Sequence, residues 1–178
     1  MGEYFCYSIT YLFFAQGFTM PPTPDFHAQT HNHTACIHRA MNAATALCQQ
    51  QGLRFTPIRQ RVLELVWASH APMAAYDLLK TLRREKDNAE APTVYRALDF
   101  LLKHGIVHKI ESLNAFVGCD HPGDAHTSQF LICTVCGQIV EQENIDVRCA
   151  IEKQALGTGF TISDQTIEIM GRCSTCKQ

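Results

Sequence analysis

Two pairs of cysteines with the same spacing are the residues of this sequence that are best suited to chemistry. Cys133 and Cys136 form one CxxC pair, and Cys173 and Cys176 form a second pair after 36 intervening residues. Thiolates held by two such turns can occupy the four corners of a tetrahedron, at Zn–S distances of about 2.3 Å. A metal enclosed by four protein ligands has no position for a reactive water. The spacing therefore predicts a structural zinc site, with disulfides or an iron–sulfur cluster as the alternatives.

More residues that could bind a metal flank the first CxxC pair, although spacing alone does not join them into one site. His108 and Cys119 lie in two short predicted strands, His126 lies in the segment that follows, and Glu141 comes five residues after Cys136. Mixed nitrogen, sulfur and oxygen ligands suit zinc. For each residue, an ordinary surface or core role is the alternative. Nearby residues that offer the same donor atoms are His104, Asp120, His121, Asp124 and Glu143.

A zinc hydrolase is the catalytic interpretation of the same residues. His108, Cys119 and His126 could leave an open coordination position, with Glu141 as the base. The sequence contains no HExxH motif or similar cluster. We therefore expect no enzyme activity and no small-molecule substrate.

Apolar residues at helical spacing predict the elements that precede most of these candidate ligands. After Gly105, which is expected to stop the last helix, the pattern changes to two short strands. These are IVHKIES and NAFVGC, joined by a turn at Leu113-Asn114. Helices followed by such a hairpin predict a winged helix-turn-helix. The expected helices cover residues 40–51, a segment that starts at Thr56-Pro57, residues 74–86 and residues 91–104.

The last of these predicted helices carries polar residues that suit nucleic acid. Thr93, Tyr95 and Arg96 lie in its first turn and a half, on the face opposite the apolar stripe. The N-terminal residues of a recognition helix meet base edges and phosphates, and an arginine can bind guanine through two hydrogen bonds. Arg59 and Lys109 lie where they could contact backbone phosphates. The alternative is an ordinary solvated helix face.

The remainder of the chain predicts a small α/β module. From residue 127 the pattern is a strand, the first CxxC turn, a second strand, a helix over about 146–157, a last strand and the second CxxC pair. We therefore predict an α+β protein with a winged helix-turn-helix domain over residues 39–119. A hinge over 120–127 and an α/β domain over 128–178 would follow it.

Charge and cysteine content narrow the class of protein. Residues 38–110 carry eleven Lys and Arg against six Asp and Glu, a net charge of +5, and the remainder carries −7, for a total of −2. A basic module joined to an acidic one is typical of a nucleic-acid-binding protein with a separate sensing or assembly part. Unevenly charged solvated faces are the alternative. Nine cysteines, an odd number arranged partly in CxxC pairs, indicate a reduced compartment, and we expect the cytoplasm.

Residues 1–38 are predicted to be a disordered N-terminal extension. Residues 4–18 are apolar, but Glu3 is the only charge before them, so they lack the basic start of a signal peptide. They are also shorter than the roughly 20 residues that span a bilayer. We expect no membrane partner, with Met20 as the natural start of the protein; a weak membrane-surface segment is the alternative. Residues 21–38 are rich in proline and histidine without an apolar period, which indicates a mobile tail.

Several motifs in the same order resemble the ferric-uptake-regulator family of metal-dependent transcription factors. They are RFTPIRQRVLELV, AYDLL, PTVYRALDFLLKHGIVHKIES and FLICTVCG, and the resemblance covers about residues 40–176. Within the family the sequence is most similar to the zinc-uptake regulators. Iron- and peroxide-sensing members usually carry an HHDH-type run before the LIC strand. Here the corresponding stretch is His126-Thr-Ser-Gln-Phe130, with an apolar residue at one usual ligand position.

The resemblance implies a homodimer that dimerises through its C-terminal domain and binds palindromic double-stranded operator DNA through its winged helix. It implies a structural zinc on the two CxxC pairs and a sensing zinc between the domains, hence two Zn²⁺ per protomer. Tyr95 and Arg96 match the family's DNA-contacting pair, and His121 in the hinge could replace or supplement His126. The sensing ligands carried over by motif are His108, Cys119, His126 and Glu141.

The function implied by the resemblance is that of a zinc-responsive repressor. The zinc-loaded dimer would hold its two recognition helices about one helical turn apart on the operator and repress zinc-uptake genes. An iron- or peroxide-sensing regulator of the same family is the nearest alternative. A second alternative is a non-sensing zinc-ribbon adaptor, which would bind nucleic acid whether or not the second zinc were bound.

Overall fold

Helices and strands form two successive parts in this computed structural model, which describes residues 33–68, 71–85, 89–123 and 126–177. Within those residues, an N-terminal part has four helices and a three-stranded sheet, and a C-terminal part has one helix and a second three-stranded sheet. The predicted α+β class, a winged helix followed by an α/β part, is confirmed. In chain order the elements are α1 (His33–Gln50), α2 (Pro57–Val66), β1 (Met73–Ala74), α3 (Ala75–Glu85), α4 (Ala91–Lys103), β2 (Val107–Ile110), β3 (Ala115–Gly118), β4 (Ser128–Cys133), β5 (Ile139–Gln142), α5 (Ile145–Gly157) and β6 (Thr166–Gly171).

Helices α2, α3 and α4 pack their apolar stripes together and form most of the core of the N-terminal part, to which α1 and the wing also contribute. Helix α2 begins at Pro57 after the N-cap residue Thr56, as the Thr-Pro pair predicts. Gly105, with a φ of 61°, follows α4 and turns the chain toward the next strand. The buried residues are Val62, Leu63, Leu65 and Val66 of α2, Leu78, Leu79 and Leu82 of α3, and Val94, Ala97, Leu98 and Leu101 of α4.

The wing is the antiparallel pair of strands β2 and β3, in which Ile110 lies opposite Ala115. A 3-10 turn, Glu111–Leu113, follows β2, and Asn114 closes the hairpin in the left-handed region at a φ of 46°. The sequence did not predict β1, which pairs with β3. A strand of two residues is too short to show an alternating pattern.

Strand β4 lies in the middle of the C-terminal sheet, whose order is β5-β4-β6. It pairs antiparallel with β5 and parallel with β6. In the parallel register, Cys133 at the end of β4 lies opposite Gly171 at the end of β6. Helix α5 makes the crossover and is capped by Asn144, whose side chain accepts hydrogen bonds from the N–H groups of Asp146 and Val147. This crossover returns the second CxxC pair to the first.

A small apolar cluster joins the wing to the C-terminal sheet. Ile110 of β2 and Phe130 of β4 are both 0% exposed, and Ile132 of β4 is 4% exposed. Val117 and Ile139 pack against these three side chains. Because the cluster draws on both parts of the chain, its burial holds the wing against β4.

Helix α1 starts earlier than the sequence predicted. It begins at His33, so residues 33–38 are helical and their assignment to a disordered extension is wrong. Burial of one face stabilises a helix that the Pro- and His-rich composition alone does not predict. The other predictions for the extension, including the Met20 start, concern residues 1–32 and lie outside the described residues. The buried residues at helical spacing in α1 are Cys36, Ala40, Ala44, Leu47 and Cys48.

None of the helices that the structure describes is both long enough and apolar enough to cross a bilayer.

The indole ring of Trp67 packs directly on Gly118, the last residue of β3. A Cβ atom at position 118 would lie closer than 3.0 Å to three ring atoms of Trp67. We expect Gly118→Ala to lower the free energy of unfolding by about 1–3 kcal/mol, because over-packing forces the ring or the wing to shift. Gly157→Ala is the matched control, since a Cβ there meets no atom within 4 Å. Chemical unfolding followed by tryptophan fluorescence measures both variants. Equal unfolding midpoints for the wild type and Gly118→Ala would contradict the packing argument.

Candidate metal centres

The two CxxC pairs meet at one end of the C-terminal sheet. The Sγ atoms of Cys133, Cys136, Cys173 and Cys176 all lie within 4.8 Å of one another. Sulfurs bound to one tetrahedral zinc at about 2.3 Å are about 3.8 Å apart. The Sγ atoms of Cys136 and Cys173 are 3.9 Å apart. The donor set and its spacing therefore fit a closed four-cysteine zinc site.

Hydrogen bonds lower the pKa of two thiols of this cluster, Cys133 and Cys173, whereas the pKa values of Cys136 and Cys176 are raised. Backbone N–H groups of Cys136 and Cys173 point at Cys133 Sγ, the latter from 3.4 Å, and lower the pKa of Cys133 to about 6. Hydrogen bonding to Cys173, together with burial, raises the pKa of Cys176 to about 12. Four sulfurs this close repel one another when all are ionised. A divalent cation is the group that would hold all four as thiolates.

A second group of donor atoms lies where the wing meets the C-terminal sheet. His108 of β2, Cys119 directly after β3, His126 shortly before β4 and Glu141 of β5 each place one donor atom within 4.8 Å of the others. Strand pairing explains the convergence, because Glu141 lies opposite Phe130 in the β4–β5 register, beside the apolar contact with the wing. Four separate segments thus supply one donor each.

The donors of this second cluster are hydrogen-bonded and shielded from solvent. Glu141 Oε1 is 2.9 Å from the Nε2 atoms of both His108 and His126, and Cys119 Sγ is 3.6 Å from His126 Nε2. Burial opposes ionisation of Glu141, but hydrogen bonding to His108 and the charge of that ring lower its pKa to about 2, with further bonds from Asp120 N–H and His126. An ionised carboxylate, two imidazoles and a thiol in this space suit zinc.

The competing donors that the structure describes lie outside this cluster. The ring of His121 is 6.3 Å from that of His126, centre to centre. Asp120 approaches the cluster through its backbone, whose N–H lies 3.2 Å from Glu141 Oε2. Asp124 lies outside the described residues. Neither of the two donor clusters found among the described residues contains His104, Asp120, His121 or Glu143.

Ser128, which the sequence did not single out, lies against one of the candidate ligands. It is 5% exposed, and its Oγ lies 3.3 Å from Nδ1 and 3.4 Å from Nε2 of His108. Because Nε2 faces the Glu141 carboxylate and donates to it, Nδ1 is the nitrogen that can accept a hydrogen bond from this hydroxyl; were Nε2 to bind a metal instead, Nδ1–H would donate to the hydroxyl. Such a bond fixes the tautomer and the ring direction of a metal-binding histidine. Its position two residues after His126, in an extended segment, is the signal in the sequence that could have pointed to it.

The polar face of α4 is open to solvent. Tyr95 and Arg96 are exposed and Thr93 is partly buried, whereas Val94 and Ala97 between and after them are buried in the core. The Tyr95 ring is 54% exposed, although it is large and aromatic. This face of α4 is therefore available to a partner, as its sequence predicts.

The two other candidate DNA contacts are engaged within the protein. The Arg59 guanidinium lies 3.5 Å from the centre of the Phe100 ring and also donates to the Arg54 carbonyl. Lys109 Nζ is 2.6 Å from Glu111 Oε2, in an ion pair at the protein surface. Exposed ion pairs contribute only about 0–1 kcal/mol, so Lys109 can exchange this carboxylate for a phosphate. Arg59 is held more firmly in place, by a ring and a carbonyl together.

Comparison with known proteins identifies the family that combines these features. The model of the ferric uptake regulator family matches residues 50–170, from the end of α1 nearly to the end of β6. The chain belongs to the ferric uptake regulator family. The resemblance that the sequence motifs suggested is therefore confirmed.

Relatives within the ferric uptake regulator family differ in their similarity to this chain. The zinc uptake regulation protein of Escherichia coli (strain K12) is 42% identical over 75% of this chain and 78% of that protein. The solved structure of a zinc uptake regulator complexed with zinc and DNA is 39% identical, with a TM-score of 0.74, over 79% of this chain and 94% of that chain. The peroxide-responsive repressor PerR of Staphylococcus aureus (strain Mu50 / ATCC 700699) is 28% identical over 79% of this chain and 94% of that protein.

Removing the hydroxyl beside His108 tests its positioning role. We expect Ser128→Ala to weaken zinc binding at the second cluster about 10–100-fold, as loss of such a supporting partner does at other metal sites. Ser128→Thr keeps a hydroxyl and should retain most of the affinity. Competition with a zinc chelator measures the zinc affinity of the second cluster in both variants. The zinc bound by the four-cysteine cluster is counted separately. Equal affinities for the wild type and Ser128→Ala would mean that the hydroxyl does not orient the ring.

Proposed function

We propose that this protein is a zinc-responsive, DNA-binding repressor of zinc-uptake genes that acts as a homodimer. The observation that carries the proposal is the second donor cluster, because it joins the two parts of the chain. His108 and Cys119 belong to the wing, His126 to the connection and Glu141 to the C-terminal sheet. The similarity to a zinc uptake regulation protein, and to a zinc uptake regulator solved with zinc and DNA, supports the choice of metal and of partner.

We propose two Zn²⁺ ions per protomer with different roles. The four-cysteine cluster would enclose a structural ion between strand ends of one sheet, and the second cluster would hold a regulatory ion. When bound, zinc supplies a divalent charge and coordinate bonds to donors that otherwise bond to one another. Because the thiols must stay reduced to bind zinc, we propose a cytoplasmic location. The structural ligands are Cys133, Cys136, Cys173 and Cys176, and the regulatory ligands are His108, Cys119, His126 and Glu141.

The placement of the regulatory ligands suggests how zinc changes DNA binding. Fixing His108 and Cys119 relative to Glu141 fixes the winged helix relative to the C-terminal sheet, with the segment 120–127 as the hinge. In a dimer this angle sets the distance between the two α4 helices, which must lie about one helical turn apart to enter neighbouring major grooves. A coupling of about 1–3 kcal/mol is typical of such allostery and acts in both directions. Operator DNA should therefore tighten zinc binding.

The C-terminal part offers an apolar surface for a second copy of the chain. Helix α5 has no buried residue, and β6 is an outer strand of its sheet with a largely exposed face. Exposed apolar surface of this extent is typical of an interface rather than of a monomer's surface. A symmetric pair would cover α5 and β6 of both copies. The large apolar side chains exposed here are Ile145, Val147, Leu156, Phe160, Ile169 and Met170.

For DNA recognition we propose that α4 enters the major groove. Arg96 would read base edges, and the hydroxyls of Thr93 and Tyr95 would contact phosphate or base edges. Lys109 of the wing and Arg59 of α2 would contact phosphates. The support for these roles is the exposure of the first turns of α4 and the basic charge of the winged helix.

The environment of Phe130 argues against the iron- or peroxide-sensing alternative. This residue stands at a position where those sensors usually carry a ligand, and here it is fully buried against the wing. The lower identity to a peroxide-responsive relative, 28% against 42% for a zinc uptake regulation protein, points the same way. A non-sensing adaptor would bind DNA whether or not the second zinc were bound, and the following measurement tests this.

Zinc-dependent DNA binding is the central test of the proposed function. We expect the wild type to bind an AT-rich palindrome only when free zinc is high enough to fill the second cluster. Cys119→Ser should abolish this response and leave a folded dimer, because it removes one of four regulatory ligands. His121→Ala is the matched control and should respond like the wild type. A gel-shift titration in buffered zinc measures this, and DNA binding that persists with only the four-cysteine site filled would refute the sensing role.

Base recognition by α4 is tested at Arg96. We expect Arg96→Ala to weaken operator binding by about 1–3 kcal/mol and to relax base preference, as loss of a bidentate arginine contact does. Lys177→Ala, which removes an exposed cation after the second CxxC pair and outside the winged helix, is the control and should bind as the wild type does. Affinities for the operator and for single-base variants decide the matter. A loss that is uniform across all sequences would reassign Arg96 to a phosphate contact.

A further inference from the structure

Glu168, on the outer strand β6, reaches across to the wing. Its Oε1 accepts a hydrogen bond from Glu111 N–H at 2.7 Å, and its Oε2 accepts one from Ser112 N–H at 3.1 Å. Both oxygens of one carboxylate from the C-terminal sheet are thus bound to adjacent residues of the winged helix.

The wing turn needs this partner because of its own geometry. Glu111 and Ser112 open the 3-10 turn, where N–H groups have no partner inside the turn. The preceding residue, Ile110, makes no side-chain hydrogen bond that caps the turn. A carboxylate at this end also meets the positive end of the turn's dipole. Glu168 therefore supplies, from the other part of the chain, the cap that the wing lacks locally.

The contact of Glu168 is continuous with the apolar cluster between the two parts. Glu168 lies opposite Phe130 in the β4–β6 register, and Phe130 is buried against the wing. Burial opposes ionisation, but hydrogen bonds from Ser112 and from the N–H of Glu111 hold the pKa of Glu168 below its usual range. The neighbouring wing carboxylate, that of Glu111, is neutralised by its ion pair with Lys109. The carboxylate of Glu168 is therefore present as an anion at neutral pH.

The contact of Glu168 is separate from the regulatory ligand cluster. The cluster holds the wing at His108 and Cys119, whereas Glu168 holds it at the turn that follows β2. Neither Glu168 nor its two donor residues belongs to a group of metal-binding donors among the described residues. Among the described residues, the wing thus contacts the C-terminal sheet at the ligand cluster, at the apolar cluster around Phe130 and at Glu168, and the last two contacts do not depend on metal.

We propose that Glu168 is a metal-independent latch that sets how much zinc the protein needs before it binds DNA, a role that rests on the proposed function. The metal-free chain exchanges between a closed arrangement, with the wing on the sheet, and open ones, and zinc selects the closed arrangement. The latch raises the closed fraction, and the apparent zinc affinity rises by the same factor. At saturating zinc nearly all molecules are closed with or without the latch. DNA affinity at saturating zinc is therefore independent of Glu168.

The first measurement is zinc binding without DNA. The full-length wild type is compared with Glu168→Ala, with Glu168→Gln and with the control Asp164→Ala. Asp164 is an acid four residues earlier that accepts a hydrogen bond from the N–H of its neighbour, Gln165. Free zinc is set by a chelator, with the four-cysteine site already filled. We expect half-saturating zinc to rise about fivefold or more for Glu168→Ala, the lower end of allosteric couplings. The shift should be smaller for Glu168→Gln, which keeps one acceptor, and absent for Asp164→Ala.

The second measurement is operator binding across the same zinc range. We expect Glu168→Ala to need correspondingly more zinc and to reach the wild-type DNA affinity at saturation. Unchanged half-saturating zinc in Glu168→Ala would overturn the latch. An equal loss of DNA affinity at every zinc concentration would overturn it too, because Glu168 would then be a structural or DNA-contacting residue.

Two controls keep the outcome decisive. Circular dichroism and light scattering establish that each variant is a folded dimer, and if Glu168→Ala does not fold, Glu168→Gln decides. Wild-type DNA binding that ignores zinc would refute the proposed function. The zinc titration without DNA would in that case still decide whether Glu168 couples the wing to the metal site.

Discussion

The pairing of strand β4 with both of its neighbours is the constraint on which the other features depend. Its parallel register with β6 brings the C-terminal CxxC pair to Cys133. Its antiparallel register with β5 places Glu141 opposite Phe130, beside the wing. A slip of one residue would turn the side chain of Phe130 to the other face of the sheet. Both metal clusters and the contact between the two parts would be lost together.

The two donor clusters differ in the segments that they connect. This difference suits the four-cysteine cluster to a structural metal and the second cluster to a regulatory one. The four cysteines lie at strand ends of a single sheet, so a metal there would stabilise one folded unit without moving anything. The second cluster spans the wing, the connection and the sheet, so its occupancy depends on how these segments are arranged. Under the proposed function, contacts between the two parts such as those of Phe130 and Glu168 would therefore contribute to the apparent zinc affinity, although neither residue is among the proposed ligands.

Local signals made most of the fold predictable. The Thr-Pro pair at 56–57 marked the start of α2, and the bounds of β4 and β6 coincide with the predicted SQFLIC and TIEIMG strands. The prediction was wrong at the start of α1 and missed β1, because burial and strand pairing with distant residues stabilise these segments. The four-cysteine cluster was predictable because each CxxC turn is half of a site. The second cluster was joined only by family resemblance, since each ligand stands alone in its segment.

By itself, the sequence determined the chemistry that is available: the donor atoms, the helix that presents Tyr95 and Arg96, and the strands that carry the candidate ligands. Only the tertiary structure decided which donors meet, placing His126 rather than His121 in the second cluster. It also brought Ser128 to His108 and Glu168 to the wing turn. The physical reason is that propensity and spacing act over a few neighbouring residues. Those contacts depend instead on strand register and on packing between segments far apart in the chain.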